Sequence, residues 1–143
     1  MTGRPRIVID TNVFMGGLLA PEKASGRLLQ LWESGVIEVL VSPAIRSEYL
    51  DILGKMRFGS PDAAARREAR AVSLLEGPHC REIKPDLHLS LVKDDPADNK
   101  FLECAVAGRA ACLVTQDHHL LDVAHRAGVP ILTAGAYLEG HLH

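Results

Sequence analysis

The sequence predicts an α/β protein in which short strands alternate with helices and form a parallel sheet covered on both faces. Three observations point there. Short, almost wholly apolar runs such as Ile7-Val8-Ile9 and Cys112-Leu113-Val114 have the length and β-branched content of buried strands. Ser42-Pro43 and Ser60-Pro61 are helix starts, because the serine oxygen accepts an orphan N–H and proline in the first turn forfeits no hydrogen bond. Gly35, Gly77 and Gly108 stand where helices would close.

Taken in order, the run at 7–9 is a first strand that stops in a polar loop, Asp10-Thr11-Asn12. Ser25 caps a helix through Trp32, Gly35 ends it, and residues 36–41 form the second strand. A helix then runs from about Ala44 to Met56, a break falls between Gly54 and Gly59, and a third helix begins at Ser60-Pro61-Asp62 and ends near Gly77. Between Pro78 and Lys93, Leu87, Leu89 and Leu91 alternate with polar residues, which suits a short strand or an extended loop. Asp95-Pro96-Ala97-Asp98 opens a fourth helix closed at Gly108. Residues 112–115 are the next strand, His119 to Ala127 a helix, 129–132 a last short strand, and a terminal helix lies around Tyr137.

A chain of 143 residues with an apolar fraction of 47% has the size and composition of one domain spanning 1–143 with a substantial core. Charged residues at 24% without any low-complexity stretch argue for order from end to end. The formal charge of -2 gives no basic excess of the kind that marks nucleic-acid binders, yet an acidic site set in a weakly basic surface produces the same sum. Cys80, Cys104 and Cys112 are odd in number and lack CxxC spacing, which speaks against a disulfide framework or a zinc knuckle. No apolar run is long enough to span a membrane, so the expected location is the reducing cytoplasm.

Chemistry concentrates in four acids. Ligands of an open parallel sheet bind beyond the carboxyl ends of its strands. Asp10 follows the first strand and Asp117 follows the strand at 112–115. Glu48 lies one turn into the helix after the second strand, and Asp98 near the start of the fourth helix, with Asp95 an alternative for the same role. Each has a structural explanation when taken singly: Asp10 as a turn residue, Asp117 and Asp98 as helix-terminal carboxylates, Glu48 as a boundary side chain reaching solvent. Together they are four hard oxygen donors from four segments at the same ends of their elements, a set suited to Mg²⁺ or Mn²⁺. Desolvating that many anions side by side is costly unless a cation holds them.

The runs Arg6-Ile7-Val8-Ile9-Asp10-Thr11-Asn12-Val13-Phe14, Ser42-Pro43 with Glu48-Tyr49, Asp95-Pro96-Ala97-Asp98-Asn99-Lys100-Phe101-Leu102 and Leu113-Val114-Thr115-Gln116-Asp117 resemble the PIN domain family, in order and along the whole chain. The likeness is greatest to the branch of toxin components from toxin–antitoxin pairs. It implies a PIN-like three-layer α/β/α fold on a parallel sheet of five strands and a metal-dependent endoribonuclease, often dimeric, that hydrolyses RNA. By the resemblance, Asp10, Glu48, Asp98 and Asp117 are the catalytic acids, with Thr11 or Asn12 and Thr115 in support; the expected direct ligands of the metal are Asp10 and Asp117, with Asp98 completing the site. An antitoxin protein and a second copy of the chain are the implied partners.

Arg66, Arg67 and Arg70 share a helix, with Arg66 and Arg70 on one face and Lys55 and Arg57 preceding it, and such a group either grips phosphates or forms a solvated face. His118 and His119 are adjacent, so on a helix their rings should diverge by about 100°. His141 and His143 read as part of a polar tail. An aspartyl-phosphate hydrolase normally needs Asp-x-Asp, and Asn12 stands at the second position. A receiver-like domain binds Mg²⁺ at a strand end but has no use for Glu48. The main non-enzymatic alternative is a catalytically silent PIN-like module that binds RNA or protein.

Overall fold

The computed structural model describes residues 3–56, 59–90, 92, 98–123, 126 and 128–141. Five strands, β1 (Arg6–Ile9), β2 (Glu38–Val41), β3 (Cys80–Glu82), β4 (Cys112–Val114) and β5 (Ile131–Leu132), form one sheet in the order β3-β2-β1-β4-β5. Every pairing is parallel. The helices are α1 (Thr11–Leu19), α2 (Ala24–Ser34), α3 (Pro43–Lys55), α4 (Pro61–Glu76), α5 (Asn99–Ala107), α6 (His118–Asp122) and α7 (Ala134–His141). The architecture is the expected three-layer α/β/α arrangement. No described helix is long and apolar enough to cross a membrane.

Central strands need apolar side chains on both faces, and β2 and β4 are buried at every position while β1 is buried from Ile7 to Ile9. Helix starts follow their chemistry. Ser42 accepts from Ile45 N at 3.2 Å and Ser60 from Ala63 N at 3.1 Å, each followed by proline. Gly35 closes α2 in the left-handed region at φ 81°, where a Cβ would also meet the His79 ring at 2.8 Å. Phe14 of α1 stacks between Trp32 of α2, with ring centroids 5.4 Å apart, and Tyr49 of α3, at 4.6 Å. All three are fully buried, and burial of an aromatic side chain of this kind contributes roughly 2–3 kcal/mol.

Several sequence expectations are corrected. Asp10-Thr11-Asn12 is no loop: α1 starts at Thr11, because the Asp10 carbonyl accepts from Val13 N and Phe14 N, both at 3.1 Å. Ser25 does not cap α2; Lys23 holds the cap position and Ser25 is buried in the first turn. The edge strand is Cys80–Glu82, and Leu87 and Leu89 belong to an extended segment outside the sheet, while Leu91 lies outside the described residues. Leu89 N is held there by Glu103 Oε2 at 3.0 Å. α5 begins at Asn99, with Asp98 in the cap position rather than inside the helix. α6 ends at Asp122 instead of reaching Ala127, which lies outside the described residues.

The end of the sheet where β2 begins is closed by charge. Glu38, with its side chain only 10% exposed, is paired with Arg6 at 3.4 Å, Arg81 at 3.5 Å and Arg4 at 3.9 Å. The opposite end, where the strands finish, carries the acids.

Candidate active site

Strand order reverses direction at β1, which has β2 on one side and β4 on the other, and the ends of β1 and β4 are where an open parallel sheet offers its binding crevice. Register carries the two strands to that edge together: Ile9 pairs with Val114, and Asp10 N extends the ladder by donating to Val114 O at 2.9 Å. Asp10 and Thr115 therefore follow their strands side by side.

Asp10 caps α1 with its backbone alone, since its side chain makes no capping bond. The freed carboxylate, on a residue 4% exposed, accepts a 2.6 Å hydrogen bond on Oδ2 from the Thr115 hydroxyl. Burial pushes the Asp10 pKa up from 3.8; the Thr115 hydroxyl and the Thr11 N–H oppose the rise, and the charges of Asp117 and Glu48 add to it. Thr115 is fully buried and its oxygen also accepts from Asp117 N at 3.0 Å, so one side chain ties Asp10 to the turn that presents Asp117.

Asp117 accepts from His119 N at 2.8 Å and caps α6, the capping role the sequence allowed for it. Burial raises its pKa, but a hydrogen bond with the Asp98 side chain, the His119 N–H and the nearby charges of His119 and His118 outweigh that and hold it below 3.8. Asp98 thus reaches Asp117 directly and buries its Oδ2. Two carboxyl groups in contact cannot both ionise cheaply without a cation. Asp95, the alternative third acid, lies outside the described residues.

Glu48 comes from α3, the helix that follows β2. Oε2 accepts from the Thr11 hydroxyl and Oε1 lies 2.6 Å from Lys100 Nζ. The next residue, Tyr49, is fully buried and donates its hydroxyl to the carbonyl of Ile9, pinning α3 to the end of β1 just before Asp10. Sequence reading missed both Lys100 and Tyr49 as parts of this region. The signal available was adjacency, since Lys100 lies in the Asp98 motif and Tyr49 next to Glu48.

Other sequence candidates stand apart. Asn12 is exposed on the first turn of α1. Arg70 grips Glu33 with two 3.2 Å bonds, near the end of α2 that leads into β2 and therefore at the sheet edge opposite Asp10. Arg66 is exposed, Arg67 half-buried, and Lys55 pairs with Asp51 at 3.1 Å; Arg57 lies outside the described residues. The rings of His118 and His119 do not diverge: side-chain torsions bring their centroids to 4.3 Å. His141 is the last residue of α7, and His143 is outside the described residues. Burial holds the Cys80 thiol up at about 11 and those of Cys104 and Cys112 at about 12, so all three are protonated thiols near neutral pH.

A model of the PIN domain matches residues 6–119, which include all of the crevice. The chain belongs to the PIN domain family. No curated protein matches it in sequence. Among solved structures, the fold is similar to a chain of VapBC2 from Rickettsia felis, which was solved bound to a DNA fragment from the promoter. That match has a TM-score of 0.57 at 14% identity and covers 89% of this chain and 96% of the other. The PIN domain endonuclease Utp24 gives a TM-score of 0.52 at 17% identity, over 90% of this chain and 84% of its own. Identities this low carry likeness of fold and no more.

PIN domains are generally nucleases that use divalent metals. The donors in this crevice suit such an ion in kind: carboxylate oxygens, one of them on a desolvated Asp10 whose proton affinity is raised by burial and by its acidic neighbours. Among the described residues the acids meet in pairs, Asp98 with Asp117 and Asp10 linked to Asp117 through Thr115, and not as a ready-made cluster of three or more ligands.

Proposed function

We propose that this chain is a metal-dependent endoribonuclease that hydrolyses RNA phosphodiester bonds with Mg²⁺ or Mn²⁺. What supports the reading is the pairwise linkage of the acids where β1 and β4 end, Asp10 to Asp117 through the Thr115 hydroxyl and Asp98 to Asp117 by a side-chain hydrogen bond, with Glu48 electrostatically coupled to Asp10. Asp10, Asp98 and Asp117 would hold the cation. A divalent ion bound there supplies positive charge to the scissile phosphate and makes water acidic enough to attack it near neutral pH.

The protein supplies placement. Thr115 fixes the Asp10 carboxylate, Thr11 orients Glu48, and Glu48 holds a water or a second ion. Asn12, exposed on the first turn of α1, is given no part in this placement. The acids repel an RNA backbone until a cation neutralises them, so substrate binding and cation binding are coupled. Arg66, exposed on α4, is offered for more distant phosphate contacts, whereas Arg70 is committed to Glu33.

The biological setting follows from the resemblance to toxin components. The chain acts in the cytoplasm as the toxin of a toxin–antitoxin pair, a single catalytic domain that dimerises and is restrained by an antitoxin protein.

The test is cleavage of a single-stranded RNA by the purified chain with Mn²⁺, with Mg²⁺ and with a chelator. Cation-dependent internal cuts support the reading. Tight RNA binding without cleavage under any cation would instead mark a silent binding module, and hydrolysis of small phosphoesters alone would mark a phosphatase.

A further inference from the structure

Lys100 is the least expected charge in the crevice. Its ammonium lies 2.6 Å from Glu48 Oε1, its side chain is only 16% exposed, and Nζ sits 5.1 Å from the Phe101 ring centroid. Such a cation is built in rather than loose. The preceding residue explains how: the Asn99 amide accepts from Val92 N at 2.9 Å and donates to Val92 O at 3.1 Å, while Phe101 is fully buried. The first turn of α5 is thereby anchored on both sides of Lys100. Asp98 is directed to Asp117 and Lys100 to Glu48, so a single helix start delivers one acid and one base to opposite partners.

Resting on the proposed cation site, we propose that Lys100 is a resident counter-ion that competes with the divalent metal through Glu48. With no metal bound, the ammonium neutralises one carboxylate of the acidic rim and lowers the repulsion that the folded chain must tolerate. When the metal binds, the same ammonium withholds part of the Glu48 carboxylate from it. Lys100 therefore stabilises the metal-free fold and weakens cation affinity. It is a positioning residue, acting on the metal through Glu48 rather than on the reacting atoms.

The experiment is calorimetric titration of Mn²⁺ alone into the whole chain, with thermal unfolding measured in chelator. Replacing Lys100→Met should tighten Mn²⁺ binding about five-fold, the change expected from freeing the charge of Glu48 to act on the ion at a water-screened rim. The same variant should unfold at lower temperature without metal. Lys100→Arg, which keeps the charge, should bind Mn²⁺ within about two-fold of the parent. Lys100→Gln repeats the charge loss with a polar side chain should the apolar one misfold. In a Glu48→Gln background the gain from Lys100→Met should shrink to less than about two-fold, because the coupling runs through that carboxylate.

Unchanged or weaker Mn²⁺ binding in both charge-removing variants would overturn the proposal, as would a gain that persists undiminished in Glu48→Gln. If the parent chain binds no Mn²⁺, or Asp10→Asn binds it equally well, the cation site itself is wrong and the role of Lys100 falls with it.

Discussion

Thr115 Oγ1 donates a 2.6 Å hydrogen bond to Asp10 Oδ2, joining the ends of two paired strands at the point where one of them delivers a buried carboxylate. The same oxygen accepts from Asp117 N at 3.0 Å. A hydroxyl can both donate and accept, and no apolar residue of that shape can replace it. Thr115→Val should therefore lower Mn²⁺ affinity and RNA cleavage by roughly 10- to 100-fold, as loss of a group that orients a metal ligand typically does. Thr115→Ser should keep most of both. Parallel titration and cleavage assays check the pair.

Asp10 sets a pH dependence. Its pKa is raised in the fold, so the folded chain holds this proton more tightly than the unfolded chain does. That preference stabilises the protein fully below the ordinary value of 3.8 and is lost as pH climbs through the raised value. In chelator, Asp10→Asn should consequently be more stable than the parent at pH 7, and the advantage should shrink on acidification. Melting temperatures of both proteins between pH 4 and pH 8 measure the difference, and an advantage that grows with acid would contradict the assignment.

Tyr49 donates to the Ile9 carbonyl from a fully buried position. Tyr49→Phe removes the donor while keeping the ring packed against Phe14, and should cost about 1–2 kcal/mol, chiefly from the carbonyl left without its partner. Denaturant unfolding gives the number. A far larger loss would mean that the ring packing itself had been disturbed.

Arg70 is paired with Glu33, and the arginine side chain is 25% exposed against 52% for the glutamate. An ion pair this open is worth about 0.2–1 kcal/mol. Arg70→Ala should lower stability by that amount and leave RNA cleavage unchanged at any salt concentration. Arg66→Ala with Arg67→Ala is the informative comparison for phosphate contact, since a loss of RNA affinity that fades at high salt is the signature of a backbone grip.

Sequence conveyed the α/β class, the Ser-Pro helix starts and the positions of Asp10 and Asp117 at strand ends, because those features follow from local chemistry. α1 was hidden for a reason that lies elsewhere in the chain. Thr11-Asn12-Val13-Phe14-Met15-Gly16-Gly17 does not read as helical, yet Gly17 is required there because a Cβ would sit 2.7 Å from Leu29 side-chain atoms and the Ser25 carbonyl. The glycine reports close packing of α1 on α2 and no break in the helix. β3 was hidden because an edge strand of three residues, Cys-Arg-Glu, carries no apolar period, whereas the partly covered segment after it does. The Glu48–Lys100 pair joins two helices far apart in sequence, and nothing in the spacing of either motif announces it.

The most direct measurement is the rate of RNA cleavage in Mn²⁺ by the parent chain, Asp10→Asn and Asp117→Asn, with folding of each variant verified by circular dichroism. Loss of cation-dependent cleavage in both folded variants is the expected result. Undiminished cleavage by pure, folded Asp10→Asn would contradict the placement of the chemistry between β1 and β4.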